Sequence, residues 1–450
     1  MASDEYDPLP WRPADRRALA RLAENIPERS DLLGTDPRLY AASRLGTAAT
    51  LRAVDAEAGG GFYDIPADAE VSAEVADAAL GGDELVVDVQ THLVNPARVG
   101  TAGAANLFAF LQATDPDRWG EGIDPSLIAA ASWAGLVFGG SETATAVISS
   151  LPGPAEQNVL TNAEIAGVRE IVDRYAGTGR VLTHTIVHPN LGVSELETMD
   201  RWAEELQPAA WKVYTLWEPR SAAVGRPRGW FLDDAEVGLP FLEKVRTTGP
   251  RIVCAHKGIG GPIPDLAPLG SSPRDIGPAA VAFPDLTFIV YHSGYDPDSQ
   301  GQEGPHRRDP HRGVSRLVSS LEEAGVGPGG NVYAELGTTW FLMMRRPEEA
   351  AHVLGKLLLA LGDERIVWGT DSVWYGPPQF MIDAFRAFQI PERMQEEFGY
   401  PPLTAEAKAK ILGLNGAGVY GIDADRARRA ATERNTWLEA AMTELRTAVG

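Results

Sequence analysis

The 450-residue sequence predicts an α/β protein folded as a (β/α)8 barrel with helical extensions at both ends. Three observations predict it. Eight short runs rich in β-branched residues follow one another, helical stretches separate most of them, and the set occupies roughly 290 residues, the size of such a barrel with insertions. An open doubly wound sheet is the alternative, but no Gly-rich GxGxxG turn follows the first strand.

Residues 1–84 come first and read as a helical extension. Stretches such as "RRALARLAENIPERSDLLG" carry helical periodicity punctuated by Pro and Gly, with no strand-like apolar run. The texture changes at Leu85. The expected strands are "LVVDV" (85–89), "TAVISS" (145–150), "VLTHTIVH" (181–188) and "AAWKVYT" (209–215). They continue with "RIVCA" (251–255), "LTFIVY" (286–291), "NVYAEL" (331–336) and "RIVWGT" (365–370). Segments such as "NAEIAGVREIVDRYAG" and "PEEAAHVLGKLLLALG" supply helices between them, so the barrel is expected over 85–400. Residues 401–450 read as helices that close the barrel and extend past it.

Composition narrows the function. Forty basic against 62 acidic residues give a formal charge of −22, which repels nucleic acid and acidic membrane surfaces. The single cysteine, Cys254, excludes an intrachain disulfide and a cysteine-rich zinc site, and fits a reducing cytoplasm. The N-terminal residues lack the apolar core of a signal peptide, and "IAAASWAGLVFGG" is too short to span a bilayer, so a soluble cytoplasmic chain is expected. Extensions at both ends suit a homodimer.

In a barrel the catalytic face is the C-terminal end of the strands, so ionisable residues there carry the information. The first strand runs into "DVQTHLVNP", where Gln90 and His92 share a face because alternate strand residues do. Lys212 lies on the fourth strand, His256 ends the fifth, His292 the sixth, Glu335 the seventh and Asp371 the eighth. Imidazole and carboxylate without thiolate suit zinc, iron or manganese. Lys212 and Thr370 would stand behind the ligands, and a carbamylated Lys212 could bridge two ions. His184, in mid-strand, reads as a core histidine and His352 as structural, whereas His188 reads equally as ligand or turn. The loop "EGPHRRDPHRG" holds Arg307, Arg308 and Arg312, a rare basic cluster suited to a phosphate-bearing substrate.

The ordered series "DVQTHL", "WKVY", "AHKG", "YHSG" and "WGTDS" resembles the amidohydrolase-related barrel family over about 85–422. That family consists mostly of metal-dependent hydrolases and decarboxylases. The departure is Gln90, an amide where the family's Asp-x-His-x-His start has its first histidine. With Glu335 added, the pattern is similar to a branch that binds two non-haem irons and activates dioxygen, whose named role is hydroxylation of a diterpenoid acyl-coenzyme A in platensimycin and platencin biosynthesis. This resemblance implies a diiron monooxygenase. Gln90, His92 and Asp371 would hold one iron and His256, His292 and Glu335 the other, with Lys212 and Glu335 catalytic. It further implies dioxygen as co-substrate, an external electron donor, and an acyl-coenzyme A whose phosphates meet the arginine loop. The alternative is a zinc hydrolase or decarboxylase using His92, His256 and Asp371, with His292 as acid or base. A ligand-binding barrel with a decayed metal site is the third reading.

Overall fold

The computed structural model describes residues 12–218, 229–260, 268–297, 303–432 and 436–448. Eight parallel strands stand side by side in chain order: β1 (Val87–Thr91), β2 (Thr145–Ile148), β3 (Val181–Ile186), β4 (Ala210–Tyr214), β5 (Ile252–His256), β6 (Thr287–Tyr291), β7 (Val332–Glu335) and β8 (Ile366–Val367). Parallel neighbours need a crossover, and helices such as Asn162–Ala176 and Pro347–Leu361 supply it. The result is a (β/α)8 barrel.

The first and last strands differ from the sequence expectation. β1 starts two residues later, which puts Gln90 inside the strand rather than after it. β8 is only two residues long, because beyond Val367 the chain meets β1 through separate bonds instead of a ladder. The Val89 amide donates to the Trp368 carbonyl (3.0 Å) and the Asp371 amide to the Gln90 carbonyl (2.9 Å), with one parallel bridge between Thr91 and Ser372. These contacts bring the barrel close to full closure.

Alternation along the strands divides their side chains between two environments. Trp211, Val213, Val253, Ala255, Phe288, Val290, Val332 and Ala334 join helix residues such as Phe241, Leu317 and Leu354 in one buried core. Facing inward, where branched aliphatics usually fill a barrel, stands a polar layer. His184 Nδ1 lies 2.7 Å from Ser149 Oγ and its Nε2 lies 2.9 Å from the Tyr420 hydroxyl. The Tyr291 hydroxyl donates to the Val89 carbonyl at 2.7 Å.

The N-terminal helices pack beside the barrel. Ser43 caps Arg44–Glu57 and Ser72 caps Ala73–Leu80, each by accepting from an amide three residues on. Arg44 reaches Asp77 (3.1 Å) within the extension, Glu142 ahead of β2 and Asp383 (3.2 Å) on the helix Gln379–Ala387, and so ties the extension to the barrel. At the other end, the helix Leu438–Ala448 is joined to the Asn162–Ala176 helix by an Arg174–Glu444 ion pair of 2.8 Å. Among the described residues no helix is long and apolar enough to cross a membrane.

Candidate active site

The strand ends bring five of the expected residues into one cavity: Gln90, His92, His256, His292 and Asp371 all line it. Their positions follow from local chain geometry. Asp88, Gln90 and His92 alternate along β1, and the Asp88 carboxylate staples β1 to β8 by accepting from the Gln90 amide (3.2 Å), the Thr370 amide (3.1 Å) and the Thr370 hydroxyl (2.5 Å). Burial pushes that carboxyl up to about 7. Asp371 sits at φ 58°, a left-handed conformation uncommon outside glycine, which turns its side chain across the barrel toward His92.

The donors form two groups. In the first, His92 Nε2 lies 3.0 Å from Asp371 Oδ1, and the Gln90 amide nitrogen lies 3.0 Å from the same oxygen and 3.4 Å from His92 Nε2. In the second, His256 Nδ1 lies 3.2 Å from His292 Nε2. Trp374 stacks on His92 with centroids 5.6 Å apart, and Tyr214 stacks on His256 at 4.8 Å.

The outer nitrogen of each ring fixes its tautomer. His92 Nδ1 faces the Ser149 carbonyl at 2.8 Å, His292 Nδ1 the Gly337 carbonyl at 2.6 Å and His256 Nε2 the Ile259 carbonyl at 3.4 Å. A carbonyl only accepts, so each of these nitrogens carries the hydrogen and the other nitrogen presents a lone pair. Lone pairs therefore face each other across His256 and His292, and across His92 and Asp371. Burial holds His256 well below the ordinary histidine range and pushes His292 down to about 4, which keeps both rings neutral. Burial alone would raise Asp371, yet its carboxyl is held below the ordinary range, and the Thr338 hydroxyl that donates to Oδ2 helps to keep it ionised.

Such a set lacks a cation, and a divalent ion with nitrogen and oxygen ligands fits it. Gln90 strengthens the fit. Its Oε1 is buried with no hydrogen-bond partner. It lies beside Glu335, both oxygens being within 2.5 Å of the point a Gly337 Cβ would occupy. Turning the amide over would present Oε1 to the ion and the NH2 group to Glu335. Among the described residues no three His, Cys, Asp or Glu side chains are already gathered at metal-binding spacing, so loading would draw the two groups together.

Other expected residues lie elsewhere. Lys212 is fully buried within the barrel, its Nζ 3.2 Å from the Tyr291 ring centroid and without a hydrogen-bond partner. It does not line the cavity. Glu335 lies beneath the site with its carboxylate occupied by backbone, accepting from the His292 amide (2.9 Å) and from the Gly337 amide. Arg307 and Arg308 are exposed and Arg312 pairs with Asp296 at 3.2 Å; none of the three lines the cavity. His188 accepts from the Gly153 amide (3.0 Å) and is a turn residue, and His352 meets the Tyr400 hydroxyl at 3.0 Å.

Three features escaped the sequence reading. Thr338 donates to Asp371 Oδ2, leaving only Oδ1 toward the cavity. Its sequence context, "ELGTTW", gives no signal. Asp88 was detectable, since it precedes Gln90 by two on the same face. The helix Ala102–Thr114 supplies a wall through Gly103, Asn106, Leu107 and Phe110, at the i, i+3, i+4, i+7 spacing of one helix face. With Leu151, Leu216, Trp217, Ile259 and Trp374 this wall is apolar.

The amidohydrolase family model matches residues 87–422. No curated protein matches the chain. Among solved structures it is similar to 5-carboxyvanillate decarboxylase from Novosphingobium aromaticivorans, solved with manganese and 3-methoxy-4-hydroxy-5-nitrobenzoic acid: 12% identity, 75% of this chain, 97% of that one, TM-score 0.47. Similar too are 2,6-dihydroxybenzoate decarboxylase from Rhizobium (16%, 76% and 99%, TM-score 0.40) and dihydroorotase from Saccharomyces cerevisiae (12%, 77% and 86%, TM-score 0.42). At these values the likeness concerns the barrel alone.

These findings correct the diiron monooxygenase expectation. The family match, over residues 87–422, is to amidohydrolases. The physical reason lies in the donor count. Two irons required Glu335 as a sixth ligand, and its carboxylate is committed to backbone amides. Iron pairs, dioxygen, and hydroxylation of an acyl-coenzyme A in antibiotic biosynthesis are withdrawn with it.

Proposed function

The chain belongs to the amidohydrolase family, and from that premise we propose that it is a metal-dependent decarboxylase of a small, largely apolar carboxylic acid. One observation carries the reading: two donor pairs, His92 Nε2 with Asp371 Oδ1 and His256 Nδ1 with His292 Nε2, keep their lone pairs free along one cavity with largely apolar walls. His92, His256 and Asp371 would hold one divalent ion, zinc or manganese, with the Gln90 oxygen as a neutral fourth ligand. When bound, the ion supplies positive charge that anchors and polarises an oxygen of the substrate.

The protein's own residues do the rest. Phe110, Trp217 and Trp374 offer flat apolar surfaces to the body of the substrate. A carboxylate surrounded by such walls is poorly solvated, and its departure as neutral carbon dioxide relieves that cost. The C–C bond breaks with its electron pair left on the substrate carbon, and that carbon then takes a proton. His292, oriented by the Gly337 carbonyl, keeps the Nε2 lone pair toward the cavity, where it takes a proton from solvent and delivers it to that carbon. Thr338 holds Asp371 in one orientation throughout.

The test is metal analysis followed by turnover. Protein loaded with manganese or zinc is offered hydroxybenzoic and β-keto acids, with carbon dioxide release as the readout, and the matching esters and amides, with acid release. One ion per chain and carbon dioxide release that disappears in Asp371→Asn supports the proposal. Acid release without carbon dioxide would move the reading to hydrolysis. A chain that binds no divalent ion overturns it.

A further inference from the structure

Glu335 is fully buried, lines no part of the cavity, and is surrounded by features that serve its carboxylate. Two glycines leave it room: a Cβ at Gly369 would stand 1.8 Å from its Oε1, and one at Gly337 2.5 Å. Two backbone amides, of His292 and Gly337, donate to it. Around it the ends of β6 and β7 are laced together. Ser293 Oγ donates to the Glu335 carbonyl (2.7 Å), Thr339 Oγ1 to the His292 carbonyl (2.9 Å), and His292 Nδ1 to the Gly337 carbonyl (2.6 Å).

The backbone in this mesh is strained. His292 (φ 62°), Ser293 (φ 53°), Thr338 (φ 55°) and Asp371 (φ 58°) all occupy the left-handed region without being glycine. Strain of this kind persists only where the surroundings over-determine it. Of those four residues Asp371 is a donor of the proposed metal site, His292 is the proposed proton carrier, and Thr338 holds the second oxygen of Asp371. A ligand would leave an oxygen of Glu335 open toward the cavity; a plain filler of the core would need no amides.

We propose that Glu335 is a positioning residue: its carboxylate, clamped between the amides of His292 and Gly337, sets where His292 stands and, through the Gly337–Thr338 corner, how Asp371 is turned. The metal readout of this role rests on the function proposed above, whereas the clamp itself does not. A neutral amide breaks the clamp, because Gln keeps one acceptor but points an NH2 group at the other backbone N–H.

Two measurements on Glu335→Gln test it. In metal-free protein, hydrogen exchange at the 291–294 and 336–339 segments should accelerate at least tenfold relative to wild type while β2 and β3 are unchanged; equal exchange overturns the proposal. With cobalt(II) as probe, the variant should bind at least tenfold more weakly and show a shifted visible absorption spectrum. An unchanged spectrum and affinity overturns it, as does loss of one of two bound ions, which would make Glu335 a ligand. Failure of wild-type protein to bind cobalt would overturn the metal reading, and the exchange result alone would then judge the clamp. If Glu335→Gln does not fold, Glu335→Asp, whose shorter carboxylate reaches only one amide, takes its place in the exchange measurement.

Discussion

Each polar side chain in the barrel is defined by what its other end touches. Asp371 illustrates this: Oδ2 is spent on Thr338, so Oδ1 alone faces His92 and the cavity. Asp371→Asn removes the negative charge and is expected to weaken divalent-ion binding at least tenfold, measurable by titration calorimetry, with the melting temperature little changed. Lys212 makes the opposite case, a charge-bearing group whose Nζ has ring contacts but no hydrogen-bond partner. Burial pushes its ammonium down to about 7 from its ordinary 10.5, so between those pH values the unfolded chain holds a proton that the folded chain has released. Stability therefore rises with pH across that window and the contribution is worst below it. Glu335, raised to about 8 by burial, acts in the opposite sense at lower pH, which leaves the interval from about 8 to 10.5 as the clean one. Lys212→Met should raise the melting temperature near pH 7 by about 2 °C or more and flatten the rise above pH 8. Parallel stability profiles for the two proteins would refute this.

At the scale of elements, the strand ends are placed by neighbours remote in sequence. β8 offers almost no ladder, and its end is fixed by Asp88 on β1 and by close approach to Glu335 on β7. Gly369 is the contact point. An alanine there would meet Glu335 Oε1 at 1.8 Å, and the clamped carboxylate has nowhere to go. Gly369→Ala should cost about 1–3 kcal/mol in urea unfolding, the usual range for overpacking, and should lower metal affinity as well. A variant of wild-type stability and affinity would show that the carboxylate can move. The strands were legible because β-branched runs of five to eight residues differ from the helical stretches between them. Their ends were less so, since β1 is displaced by two residues and the helix Ala102–Thr114, a cavity wall, reads in sequence as an ordinary apolar helix.

At the scale of the whole molecule, the extensions are bolted to the barrel rather than appended. Arg44 meets three carboxylates from separate elements, one of them, Asp383, almost fully buried. Arg44→Ala leaves that carboxylate short of its partner and should destabilise the protein by about 3 kcal/mol, the scale for breaking a buried pair, read by urea titration. A loss below about 0.5 kcal/mol, the surface-substitution scale, would mean that the extension is held by its apolar contacts alone. The loop with Arg307, Arg308 and Arg312 shows the limit of composition as a guide. Basic residues following a strand suggested the cavity mouth, yet Arg312 is engaged by Asp296 and none of the three lines the cavity.

The sequence by itself determined the barrel, through eight runs whose residue types prefer strands, and five of the cavity's polar residues, because strand ends in a barrel converge whatever the loops do. The order of those residues along the chain also pointed to the amidohydrolase family, though not to the reaction. Tertiary structure decided which of the polar strand ends face the cavity. Glu335 and His292 end adjacent strands and look alike in sequence, but the left-handed turns at His292 and Thr338 and the space left by Gly337 and Gly369 send one side chain up and the other beneath. That choice depends on backbone torsions and on Gly369, which is remote from Glu335 in sequence, and no local pattern encodes them.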